Sequence, residues 1–318
     1  MEHANAMQPK ATVQHLPLER NLNLTEYETE FDPEYSLLWG YFNPQGRPSF
    51  TLKLLEDIRN HDRLFESNGG CVLHEGKLQP VNYFVWGARM RGVYNLGGDL
   101  GYFMQCIERQ DRAALLEYST LCIDNIYPRI INYSAPSLIT IALVQGDALG
   151  GGFEAVLASD VIIAEEQAKM GLPEILFNLF PGMGAYSLIA RRIGPRLAEE
   201  MMLSGNLYSA AKLHEMGLVD FVVPEGHGEL AVYDYVQKVH KRRNGVAATY
   251  QARRTVSPIT REELMKITTV WVDAALRLSA KDIRVMLRIV HSQDRLKQNG
   301  GLLHQAPAGG EQSLANAG

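Results

Sequence analysis

The chain has 318 residues, 46% of them hydrophobic and 21% charged, the composition of an ordinary globular protein with one large or two modest domains. Lysine and arginine total 31 against 36 aspartate and glutamate, a formal charge of −5, so bulk nucleic-acid binding is not expected. Cys71, Cys106 and Cys122 are odd in number and form no CxxC pair, which fits a reducing cytoplasm rather than a disulfide framework.

The opening MEHANAMQPKATVQHLPLER has no apolar centre, so it does not read as a signal peptide. No run reaches the ~18 apolar residues of a membrane span, and a cytoplasmic protein without a membrane partner is expected. Residues 1–23 are polar and aperiodic and are expected to form a disordered arm. YSLLWGYFN predicts a strand, and the following PSFTLKLLEDIRNHDRLFESN runs into an amphipathic helix. VLHEGKLQPVNYFVWGARMRGVYNL supplies strand segments around a connection containing proline and glycine. GYFMQCIERQDRAALLEYSTLCIDNIYPRIINY is helical throughout, PSLITIALVQG is a buried β-branched strand, and VDFVV is a later one. The alternation predicts an α/β domain over residues 24–255. Residues 256–298, with only helix signals over 256–295, are expected to form a C-terminal helical subdomain. The Gly-, Ala- and Gln-rich stretch 299–318 is expected to be a disordered tail.

Three stretches carry the chemistry. GDALGGGFEAVLASD sets Gly150, Gly151 and Gly152 before a helix that begins with Glu154 in apolar company. Glycines between a strand and a helix serve either a tight, closely packed turn or the binding of an anion by unpaired helix N–H groups. The stretch lacks the GK[ST] ending of a phosphate loop and the GxGxxG spacing of a dinucleotide site. VYNLGGDL offers a second pair, Gly97 and Gly98. Two glycine turns at strand ends can each aim one backbone N–H at a single oxygen, the arrangement of an oxyanion hole. In MGLPEILFNLFPGMGA, Glu174 follows a helix-initiating Pro173 and precedes Ile175, Leu176 and Phe177, which predicts an apolar setting for its carboxylate. A lone glutamate of this kind is most often a cap or an ion-pair partner; two, each beside a glycine turn, favour acid/base chemistry. There is no GxSxG elbow, no HExxH helix and no histidine cluster at ligand spacing, so no metal is expected. His240-Lys241-Arg242-Arg243 reads as a solvated helix end, or else as a landing patch for an acidic carrier protein or a coenzyme phosphate.

NLGGD, GDALGGGFE and GLPEILFNLFPGMGA, in that order, resemble the crotonase (enoyl-CoA hydratase/isomerase) superfamily. The resemblance implies a crotonase-like ββα spiral, oxyanion-hole N–H groups on Gly98 and Gly151, and Glu154 and Glu174 as the acid/base pair. It implies substrate contacts from Gly97 and Gly150. It further implies a trimer or a hexamer, and no cofactor apart from the coenzyme A or acyl carrier protein that bears the substrate. VYNLGGDL, IIAEE, GNLYSA, MGLVD and ITREELMKITTVWVDAALRL are similar, more narrowly, to bacterial diffusible-signal-factor synthases over roughly residues 30–295. Such enzymes dehydrate a 3-hydroxyacyl chain on acyl carrier protein to a cis-2-enoyl thioester, then release a free unsaturated fatty acid signal. That likeness places the 256–295 helices over the acyl pocket with Trp271 lining it, and implies a receiver domain of a sensor kinase as a partner. HEGKLQPVNYFVWGARMRG departs from the pattern, which leaves chain length and carrier open. The alternatives are an enoyl-CoA hydratase or isomerase that does not hydrolyse the thioester, and a crotonase-like regulatory binding partner.

Overall fold

A computed structural model describes residues 23–302; the remainder of the two expected arms, 1–22 and 303–318, lies outside the described residues. The chain enters through β1 (Tyr27–Asp32), β2 (Leu37–Phe42), α1 (Leu52–Ser67), β3 (Cys71–His74), β4 (Lys77–Pro80), β5 (Tyr83–Ala88) and β6 (Gly92–Asn95). Next come α2 (Leu100–Glu108), α3 (Arg112–Ile130), β7 (Ile139–Val144), β8 (Gly146–Leu149) and the short α4 (Gly151–Leu157). After β9 (Val161–Glu165) and β10 (Lys169–Gly171), a 3-10 turn (Pro173–Phe177) leads to α5 (Ala185–Ile193) and α6 (Pro195–Ser204). β11 (Leu207–Ser209), α7 (Ala210–Glu215) and β12 (Phe221–Val223) precede four closing helices, α8 (Gly228–His240), α9 (Arg243–Val256), α10 (Arg261–Ala275) and α11 (Ala280–Leu302). Helix α11 therefore crosses the expected tail boundary at residue 299.

Six strands form one sheet in the order β1-β2-β5-β7-β9-β12, parallel except for β1. The inner strands β2, β5, β7 and β9 are covered on both faces, which is why they read as apolar runs, whereas β1 at the edge alternates. In β2, Leu38 and Phe42 join the main core, while Leu37, Trp39 and Tyr41 face a second cluster closed by Val232, Val236 and Val239 of α8. A second, four-stranded sheet runs β11-β10-β8-β6.

The expected single helical run over 101–133 is two helices and a turn. Gln110 sits at φ 53°, and the Asp111 carboxylate then caps α3 by accepting from the Ala114 N–H. Helix α10 starts on Thr260, whose hydroxyl accepts from the Glu263 N–H. Leu264, Trp271 and Val272 of α10, and Ile283 and Met286 of α11, belong to the same continuous core as the α/β body.

Candidate active site

All three predicted motifs leave the carboxyl ends of neighbouring parallel strands. β6 pairs with β8, and β8 with β10. Beyond β6 come Leu96-Gly97-Gly98, beyond β8 Gly150-Gly151, and beyond β10 Leu172-Pro173-Glu174. The sheet thus gathers at one edge segments that are some fifty and twenty residues apart in sequence.

The backbone at that edge is close-packed. Gly97 has φ +92°, and a Cβ on it would lie 3.0 Å from the Gly151 nitrogen. Gly150 has φ +52°, and a side chain there would run into the Glu174 carboxylate. Asn95 Oδ1 accepts from the Gly97 N–H at 2.8 Å, and Tyr118 Oη accepts from the Asp99 N–H at 3.1 Å. These bonds hold the chain on either side of Gly98. Among the described residues, neither the Gly98 nor the Gly151 N–H has an acceptor. Gly151 is also the first residue of α4, where the helix dipole adds positive potential. Gly98 and Gly151 both line one cavity, and two unpartnered donors beside one cavity are what an oxyanion hole requires.

Glu154 lies one turn into α4 and is 1% exposed. Its Oε1 accepts from the Met183 and Ala185 N–H groups, both at 2.8 Å. Burial pushes its pKa up to about 7, against the pull of the Met183, Gly184 and Ala185 amides, which favour the anion. Glu174 is pushed up to about 8, by burial first and by the Glu154 charge second. Its Oε2 is buried without a hydrogen-bond partner. The amides at Glu154 favour its anion, whereas the Glu154 charge opposes ionisation of Glu174, so the pair resists carrying two charges at once.

The apolar setting expected for Glu174 from the residues after it is corrected in detail. Leu176 is 60% exposed and only Phe177 of the three is buried. The turn is 3-10, so consecutive side chains fan outward, and the carboxylate is enclosed by the opposite wall of a cleft instead. That cleft is lined by Gly97, Gly98, Gly150, Gly151, both glutamates and Trp271, with Phe103, Tyr118, Cys122 and Ile289 completing an apolar end. Trp271 comes from α10, so the C-terminal helices do border the cavity, and its ring meets Phe103 edge-on at 4.9 Å. The basic run 240–243 joins the end of α8 to the start of α9, across the six-stranded sheet from this cleft, with residues 240–242 exposed. That location suits a solvated helix end. Sequence reasoning missed Asn95, Tyr118 and the 182–185 loop; their roles run through backbone hydrogen bonds that no motif displays.

Among the described residues no group of His, Cys, Asp and Glu could hold a metal, and no helix is long and apolar enough to cross a membrane. Fold and site together define an α/β protein whose parallel strands bring two glycine turns and two glutamates to one cavity. The model of the enoyl-CoA hydratase/isomerase family matches residues 94–269, more than half of the chain and all three site segments. The chain belongs to the enoyl-CoA hydratase/isomerase family. It is 46% identical over 85 residues to a probable enoyl-CoA hydratase of Mycobacterium bovis, covering 27% of this chain and 33% of that one. To the human mitochondrial enoyl-CoA hydratase domain-containing protein 2 it is 33% identical over 155 residues, 49% of this chain and 50% of the relative. The matches thus span a third to a half of the length of these curated relatives. The crystal structure of an enoyl-CoA hydratase from Bacillus halodurans superposes with a TM-score of 0.68 at 20% identity, over 83% of this chain and all of that one. This last likeness bears on the fold.

Proposed function

We propose that the protein dehydrates 3-hydroxyacyl thioesters carried on acyl carrier protein and then hydrolyses the enoyl thioester, releasing a free unsaturated fatty acid signal. The observation that carries the proton chemistry is the pair of buried carboxylates beside two unpartnered backbone N–H groups. The thioester oxygen accepts from Gly98 and Gly151, which acidifies C2–H and stabilises the enolate-like charge by about 2.7–4 kcal/mol per donor. One glutamate takes the C2 proton while the other protonates the departing hydroxyl; addition of water across the double bond interchanges the roles. For hydrolysis, a carboxylate takes a proton from a water that attacks the same carbonyl, and the same hole receives the tetrahedral oxyanion. Collapse of that oxyanion breaks the C–S bond, and the carrier thiolate leaves with the proton that the carboxylate took. The hydrolytic step and the carrier rest on the motif likeness to signal synthases, which extends beyond the catalytic core into ITREELMKITTVWVDAALRL.

The second reading is a coenzyme A-dependent enoyl-CoA hydratase or isomerase without hydrolysis, favoured by the names of the curated relatives. The deciding experiment supplies 3-hydroxyacyl carrier protein and 3-hydroxyacyl-CoA, and follows enoyl thioester and free acid separately by mass spectrometry. Free acid released from the carrier-protein substrate supports the synthase reading. Enoyl-CoA formed without free acid from either substrate selects the hydratase.

A further inference from the structure

The loop that holds Glu154 is itself held from the C-terminal helix. Leu264, Thr268 and Trp271 stand at positions i, i+4 and i+7 of α10, which places them on one face. All three are buried, at 0, 1 and 6% exposure, and all three touch the stretch Gly182-Met183-Gly184. A Cβ on Gly182 would lie 2.5 Å from Trp271 Cγ, and one on Gly184 would lie 2.8 Å from Leu264 Cδ2, so the glycines allow the loop to sit flat on the helix. Between them, Thr268 Oγ1 donates to the Gly182 carbonyl at 2.8 Å.

That carbonyl and the Met183 N–H belong to one peptide unit. A trans peptide is planar, so its C=O and N–H point in opposite directions. Fixing the oxygen on Thr268 therefore aims the hydrogen at Glu154 Oε1, which it reaches at 2.8 Å. Resting on the acid/base reading of Glu154, we propose that Thr268 is a positioning residue that acts through the Gly182–Met183 peptide to hold the Glu154 carboxylate in place and favour its anion. Loss of the hydroxyl leaves a buried carbonyl unpaired and the peptide free to turn, and the carboxylate then loses a donor. The titratable groups facing Glu154 are Glu174 from the 173–177 turn and Cys122 from α3. No charge from α5 or α10 is among the influences on Glu154, which are its burial and the Ala185, Met183 and Gly184 amides.

The test uses the full chain with ¹³C-labelled glutamate side chains, the Glu154 signal being assigned from its loss in Glu154→Gln. In Thr268→Val the titration midpoint of Glu154 should move up by about one unit, the scale of one hydrogen bond to a charged group. In Thr268→Ser it should stay at the native position. The ascending limb of the pH–rate profile should shift with the midpoint, with kcat lowered and KM little changed. Should valine impair folding, Thr268→Ala removes the same hydroxyl without a branched side chain. A native midpoint in the Val and Ala variants overturns the inference, as does a Ser variant that shifts as far as Val. A wild-type protein that turns over no acyl thioester would sink the functional reading, while the titration would still decide the role of Thr268.

Discussion

Glu154 and Glu174 are expensive residues to ionise where they stand. Each has a folded-state pKa raised above the ordinary 4.5, to about 7 and about 8. The folded chain therefore binds more protons than the unfolded one between about pH 4.5 and 8. Stability is fully present below that window and is lost as the pH climbs through it. Either Glu→Gln change removes the penalty, so Glu154→Gln and Glu174→Gln should stabilise the fold by on the order of 2–3 kcal/mol at pH 8.5 and by little at pH 5. Thermal unfolding at the two pH values reads this directly, and equal shifts at both would contradict it. The same substitutions should lower turnover by about 10²–10⁴-fold, the usual scale for a positioned acid or base. Near-native rates in either variant would remove that glutamate from the chemistry. Both residues stand out in the sequence because two glutamates in apolar company each lie beside a glycine turn. The environment that favours the Glu154 anion was not legible. It depends on amides from Met183, Gly184 and Ala185, some thirty residues from Glu154 and without side-chain chemistry of their own.

Neighbouring glycines at the start of α4 serve different ends. A Cβ on Gly151 would face the cleft and lie 3.0 Å from Met183 Sδ, the movable end of a flexible side chain. On Gly152 it would run into the Asn95 backbone, 2.7 Å from its carbonyl carbon, where helix α4 crosses β6. Gly151→Ala should therefore fold with nearly native stability yet lose activity on the order of 10²-fold, because the thioester is pushed off its two donors. If one hole serves both steps, dehydration and hydrolysis should fall together. Gly152→Ala should instead destabilise the fold by roughly 1–3 kcal/mol or more, since backbone cannot yield as a side chain can. A Gly152→Ala protein that melts like the wild type would refute this division of labour. The long elements were legible from their period, and α1, α3, β7 and α10 lie where the pattern predicts. The short strands β8, β10 and β11 were not, because three or four residues give no period to read. Yet β8 and β10 are the elements that bring the three motifs together. The sequence displays the parts of the site, whereas their assembly depends on pairing between distant strands.

On the scale of the whole molecule, one apolar region lacks cover among the described residues. Leu176, Leu203 and Leu207 are 60, 70 and 46% exposed, and they come from the 173–177 turn, the end of α6 and β11. They lie close together: a Cβ on Gly205, between Leu203 and Leu207, would meet Leu176 Cγ at 3.2 Å. Exposed leucines gathered in this way mark a surface that gains free energy by being covered, at roughly 25 cal/mol per Å² of apolar area. We propose this patch as the subunit contact of the trimer expected from the sequence motifs. The placement has a consequence for the site, since Leu176 shares its short turn with Glu174. Covering the patch would stiffen the segment that carries one of the two carboxylates. Light scattering at micromolar concentration should then give three times the 35.5 kDa of one chain, or six times if trimers pair. Leu203→Asp, which sets a charge in the patch without touching the cleft, should lower that mass, and activity per chain should fall on dilution as subunits separate. A wild-type mass of 35.5 kDa at those concentrations would rule the assembly out. A Leu203→Asp variant that keeps the native mass would show that the contact lies elsewhere on the molecule.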